Sequence, residues 1–229
     1  MKPFFYSLMV VACLSLLLLA KPVSTTASAS GAAAAAAPVM PKQCQPGKTS
    51  PEAMGWRWRP NAVVRVNYLK DHFSGAEIEA LSRAVNNWNK ALREIDSQIV
   101  FVVGGEREEL ATDGSSITVI RGIPRGKERV GEIRFHSLLN GRVRLVVTIN
   151  PVVTDLDALT SLMTHELGHS LGLADCYECK RGTTAMAAFK SNNKGNDVYE
   201  PSACDKYVVA AGYAGQSSTQ ASVRLHEQK

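Results

Sequence analysis

The sequence predicts an α+β domain, and three observations predict it. Short runs of β-branched and aromatic residues alternate in polarity between residues 62 and 149. One long apolar face of helical period stands after the first run, and a second follows the last. Asn140-Gly141, the strongest short hairpin signal in the chain, joins two of the runs.

Ahead of the domain, Lys2 precedes an apolar stretch from Phe4 to Ala20 and a small-residue segment ending Ala27-Ser28-Ala29. A positive start, an apolar middle and an A-x-A-like site make a signal peptide of residues 1–29. Export to an extracellular or periplasmic space follows, with no lasting membrane anchor, because Lys21 cuts the apolar stretch short. The leucines after Cys13 speak against a lipoprotein box. Residues 30–54, opening on polyalanine, read as a low-complexity leader or linker that contains Cys44. Residues 55–213 form the domain proper, and residues 214–229 a polar tail.

Within the domain, Ala62 to Leu69 alternates as a strand does. Ser74 offers an N-cap, and Glu77 three residues later completes a capping box. Ile78, Leu81, Val85, Trp88, Leu92 and Ile95 then step by threes and fours along one helix face, with Trp88 a core residue. Gln98 to Val103 and Ser116 to Arg121 are strand-like, and Gly131 to Ser137 pairs with Arg142 to Ile149 across the hairpin. After Pro151, Thr154 can cap a helix whose apolar face includes Leu156, Leu159, Met163 and Leu167. A last short helix starts near Ser202 and runs through Val209.

That second helix carries the chemistry. In His165-Glu166-Leu167-Gly168-His169, the histidines stand four apart and therefore on one face, where both imidazoles can grip one ion. Glu166 sits one position round, able to reach a water at the ion without binding it. Gly172 can take positive φ, end the helix and turn the chain back beneath the ion. The turn delivers Asp175 as a third ligand and leaves a fourth position open; Cys176 or Glu178 are the nearest substitutes.

In His165, Glu166, His169 and Gly172 the chain resembles the metzincins, zinc endopeptidases with the signature H-E-x-x-H-x-x-G-x-x-H and a later methionine turn. Asp175 stands where most members have histidine, which is similar to the snapalysin-like and some matrixin-like branches. The resemblance implies a metzincin-like catalytic domain, a twisted mixed β-sheet packed with a long N-terminal helix and a zinc-site helix. It further implies Met186, in Thr183-Thr184-Ala185-Met186, as the apolar floor of a methionine turn. One catalytic zinc ion, a protein or peptide substrate laid antiparallel to the sheet edge, and a monomer are expected. Glu166 would serve as general base and then return the proton to the leaving amine.

Two other readings stand beside this one. A gluzincin-type peptidase would draw its third ligand from a later helix, for which Glu200 is the plausible donor. A non-catalytic, zinc-stabilised binding module would have no use for Glu166.

Loss of Cys13 with the leader leaves Cys44, Cys176, Cys179 and Cys204, an even set that implies two disulfides in an exported chain. The expected pairing is Cys204 with Cys176 or Cys179, and Cys44 with the other. Cys176-x-x-Cys179 as a redox or structural zinc pair is the weaker alternative. Cys44 also invites comparison with the matrixin cysteine switch, but its neighbours lack that motif's arginine and aspartate.

Charge excludes more than it assigns. Losing Lys2 and Lys21 would lower the basic count from 26 to 24 against 21 acidic residues, a net charge of +3. The charges are interleaved, with no basic-aromatic stripe, so nucleic-acid binding has no support. The densest basic stretch, Arg121 to Arg129, reads as a solvated loop or as a basic rim to a substrate cleft. His72, His136 and His226 do not reproduce a second zinc site. Glu106, Glu108, Glu109 and Asp113 could hold calcium, although a solvated loop explains them as well.

Overall fold

The computed structural model describes residues 38–126, 129–139, 141–188 and 197–214. The expected signal peptide, His226 and all of the tail beyond Ala214 lie outside the described residues, as does Asn140 of the hairpin. Five strands and three helices follow in the order β1 (Val63–Leu69), α1 (Gly75–Glu94), β2 (Val100–Arg107), β3 (Ser116–Arg121), β4 (Gly131–Ser137), β5 (Val143–Ile149), α2 (Leu156–Ser170) and α3 (Ala203–Tyr213). The strands form one mixed sheet ordered β2-β1-β3-β5-β4, parallel throughout except for the antiparallel β4–β5 pair. Among the described helices none is long and apolar enough to cross a membrane.

One face of the sheet makes the core. Val64, Val66 and Tyr68 of β1, Ile117 and Val119 of β3, and Leu145, Val147 and Ile149 of β5 are buried against the helices. From α1 come Leu81, Val85, Trp88 and Leu92, and from α2 come Leu159, Leu162, Met163 and Leu167. Trp88 is fully buried and donates its indole N–H to Thr164 O at 2.7 Å, tying α1 to the turn of α2 that leads into the histidines. Val100 to Val103 continues past Gly104-Gly105 to Arg107, farther than expected. A bulge opposite Val66 and Asn67 takes up Gly104, and pairing resumes with Gly105 opposite Asn67.

The capping box of α1 forms as its residues dictate. Ser74 N and Oγ donate to Glu77, and Glu77 N donates back to Ser74 Oγ. Glu77 also pairs with Arg121, whose guanidinium donates to Asn150 O and Val153 O and lies 5.0 Å over the Phe73 ring. Arg121 is therefore a half-buried tie between the start of α1 and the loop before α2, not part of a solvated basic loop. Partial burial works against ionisation of Glu77, but the Ser74 hydrogen bonds and Arg121 outweigh it and hold the carboxyl below the usual carboxylate range.

Two local expectations need correction. Asp155, not Thr154, caps α2, its Oδ1 accepting from Ala158 N at 2.7 Å; a carboxylate one residue on reaches the third amide of the helix better. The disulfides are Cys44–Cys204 and Cys176–Cys179, not a crosswise pairing. The first turn of α3 faces the segment around Cys44, while Cys176 is held in the site loop by its amide donating to Met186 O at 2.7 Å. Cys179, three residues on, is then its near neighbour.

Because the Glu77 carboxyl is depressed in the folded state, its stabilisation is present above the unfolded pKa of about 4.3 and is lost as pH falls through the folded value. Glu77→Gln is expected to cost roughly 1 kcal/mol at pH 7. The gap from the parent chain should close between about pH 5 and pH 3, read as urea midpoints across that range.

Candidate metal centre

α2 is buried along most of its length, and its three motif side chains are buried with it. His165 Nε2 lies 3.1 Å from His169 Nε2, and Asp175 Oδ1 lies 3.1 Å from the first and 3.5 Å from the second. Among the described residues these three alone form a converging set of metal-type ligands, with donor atoms all within 4.8 Å of one another. Each imidazole is fixed from behind. His165 Nδ1 is 2.8 Å from Ala185 O, and His169 Nδ1 is 2.7 Å from Leu173 O. A carbonyl can only accept, so both Nδ1 atoms carry the hydrogen and both Nε2 atoms of the neutral rings present lone pairs.

Two lone pairs and a carboxylate oxygen at these distances repel unless positive charge lies among them. Two imidazoles and one carboxylate suit a divalent ion of borderline softness, and zinc takes this combination with one position left for water. The residues thus fit the ion the motif implies. Burial opposes ionisation of Asp175, but when no cation lies between them the two imidazoles, in their protonated form, donate to it and pair with its charge, holding the carboxyl well below its usual range. Burial likewise disfavours a charged His169, and Asp175 and Glu166 overturn that and raise it. Glu166, unlike Asp175, is raised, by burial against the pull of both histidines.

Gly172 has φ +92°, in the left-handed region, and any side chain there would collide with Trp56 O at 2.2 Å. The turn it makes is backed by residues 52–54: Met54 N donates to Gly172 O at 2.7 Å and Ala174 N donates to Glu52 O at 2.8 Å. Asp175 is delivered from this turn, and Tyr177 Oη donates to its Oδ2 at 3.2 Å. The substitutes fall away. Cys176 is spent in a disulfide, and Glu178 is exposed and outside the set. Glu200 pairs with Lys90 at the surface, and Cys44 is bonded to Cys204, so neither reaches the histidines as a ligand. In the acidic stretch, Glu108 pairs with Lys70, and Asp113 accepts from Ser115 N and Ser116 Oγ.

Met186 is fully buried beneath α2, and its Sδ would lie 2.3 Å from a Cβ on Gly168. The glycine between the histidines makes room for that thioether. On the far side of Glu166, Gly131 opens β4, and a Cβ there would meet Glu166 Oε1 at 2.7 Å and Leu162 Cδ1 at 2.6 Å. Glu166 Oε2 is buried with no hydrogen-bond partner among the described residues, a costly state for a carboxylate that serves only structure.

Sequence reasoning missed four contributors. Asp205 is wholly buried, accepts from Thr184 Oγ1 and from Ala185 N at 3.0 Å, and also from Ser202 N at 2.8 Å. Ala185 is the residue whose carbonyl orients His165, so Asp205 stands one peptide behind the site. The spacing Ser202-x-x-Asp205 completes a capping box and could have revealed it. Tyr177 offers no signal beyond proximity to Asp175, and the small-residue needs at Gly131 and Gly168 arise only from packing.

No protein-family model matches the chain, and no curated protein matches it in sequence. Among solved structures, myroilysin superposes with a TM-score of 0.46 at 13% identity, covering 78% of this chain and 90% of the other. Archaemetzincin from Methanopyrus kandleri gives 0.44 at 15% identity, over 68% and 97%. Likenesses this loose leave the site to be read from its own geometry.

Asp205→Asn keeps the shape but puts an amide where two donors point. A loss of about 2–3 kcal/mol in stability is expected, with weaker zinc binding in a competition titration. Gly131→Ala should leave the fold in place by circular dichroism while displacing the Glu166 carboxylate, seen as an altered Glu166 rotamer in a crystal structure of the variant.

Proposed function

We propose that the protein is a secreted zinc-dependent endopeptidase that hydrolyses peptide bonds, with Glu166 as general base. The single observation that carries this reading is the buried, unpartnered Glu166 Oε2 beside two imidazole lone pairs and a carboxylate that converge on one point. His165, His169 and Asp175 would hold the ion, with Ala185 O and Leu173 O keeping the rings in the correct tautomer. Zinc, when bound, supplies Lewis acidity that activates a water and steadies negative charge on the carbonyl oxygen. Aspartate in place of a third imidazole lowers the net charge of the centre and tempers that acidity.

The chain's own part is proton handling and placement. Glu166 takes a proton from the attacking water and passes it to the leaving amine nitrogen, so the carboxylate ends each cycle as it began. Gly131, lacking a side chain, leaves the carboxylate the space to do so. β4 is an outer strand of the sheet and abuts α2 at this point, which supports an extended peptide lying along it. Two disulfides and the leader-like first 29 residues support export to an oxidising compartment.

Glu166→Gln is expected to keep stoichiometric zinc, measured by atomic absorption, while losing at least about a thousandfold in turnover of a casein or peptide-library substrate. Chelation should abolish cleavage and added zinc restore it. Full proteolysis by the purified variant, or proteolysis indifferent to chelator, would refute the assignment.

A further inference from the structure

The face of β4 turned away from the helices carries an excess of positive charge with no evident structural purpose. Ile133 and Phe135 of β4 pack toward the core, so Glu132, Arg134 and His136 point to the opposite face. Across the pair with β5, Arg144 stands directly opposite His136, and Arg134 stands opposite Val146. Arg134 and Arg144 are thus diagonal neighbours on one face, and like charges across a strand pair are unfavourable unless something neutralises them. Glu132 is the carboxylate in the group, and its Oε2 is already shared by Arg134 Nε at 3.0 Å and Arg125 N at 2.9 Å. The Nε of Arg144 is buried with no hydrogen-bond partner among the described residues. The crowding registers on His136, which burial, and then the charges of Arg144, Arg134 and Arg125, push below the usual imidazole range. Arg129 adds positive charge near Tyr177 at the mouth of the site.

β4 pairs only with β5 among the described residues, and its first residue touches Glu166, so a chain added along its free edge runs past the reacting carboxylate. Side chains of an added strand alternate between the two faces. Every second one lies beside Arg134 and His136, with Arg144 one strand farther in on the same face. We infer that the cleft selects extended peptides bearing Asp or Glu at alternate positions on the Arg134–Arg144 face. This rests on the peptidase reading of the site and names its substrate class. Half-exposed guanidiniums paired with a substrate carboxylate sharpen selection by electrostatic complementarity more than they raise overall affinity.

The test uses the zinc-loaded full chain and three quenched-fluorescent peptides, identical except for Glu, Gln or Lys at two alternate positions. Expected kcat/KM falls in the order Glu, Gln, Lys, with a step of up to about fivefold per carboxylate. The ratio of Glu to Gln should shrink as salt rises from about 50 mM to about 500 mM, and Arg144→Gln or Arg134→Gln should bring it near unity. Equal cleavage of all three peptides overturns the inference and leaves the peptidase reading standing. Binding of the same peptides, dye-labelled, to the Glu166→Gln protein separates the two ideas. Tighter binding of the Glu peptide in fluorescence polarisation supports the inference even where no peptide is cut, and equal binding overturns it.

Discussion

Two imidazole rings, each with its Nδ1–H committed to a backbone carbonyl, hold their bare nitrogens 3.1 Å apart in a buried place. Nothing else in the molecule makes sense of that arrangement except positive charge between them. The surrounding structure serves to keep it. α2 is buried on nearly every side, Trp88 pins its middle turn, and Met186 lies against Gly168 so that the ring-bearing turn cannot twist. The cost of burying the two imidazoles is offset only when their partners are fixed in advance, and both Nδ1–H groups have theirs.

The carbonyls that orient the rings come from two different places. Leu173 O belongs to the Gly172 turn and is backed by residues 52–54, which lie far away in sequence. Ala185 O belongs to the methionine loop, whose position depends on Asp205 in the first turn of α3. Asp205 is adjacent to Cys204, and Cys204 is bonded to Cys44. The N-terminal segment and the last helix are thus joined behind the site, each bracing one imidazole. The Cys176–Cys179 bridge closes only the short turn after Asp175 and holds nothing distant.

Local chemistry was legible from the sequence wherever it was self-contained. The capping box at Ser74, the helix face through Trp88, the hairpin strands and the His-Glu-His spacing all depend on residues within a few positions of one another. What the sequence concealed depends on distant contacts. Gly131 appears as the start of a strand until Glu166 is found against it, and Arg121 as part of a basic run until Glu77 is found beside it. Disulfide pairing was beyond reach for the same reason, since Cys44 and Cys204 are 160 residues apart. The Thr154–Asp155 choice failed for a smaller reason: two good caps stood side by side.

The span of the Cys44–Cys204 bridge bears on how the protein comes into being. A growing chain emerges from its N-terminus, so α2 is synthesised well before Cys204 and Asp205. Until α3 arrives, Cys44 has no partner, Ala185 has no anchor, and one imidazole lacks its brace. The convergence of His165, His169 and Asp175 is therefore braced on both sides only once the last of the described elements has been made.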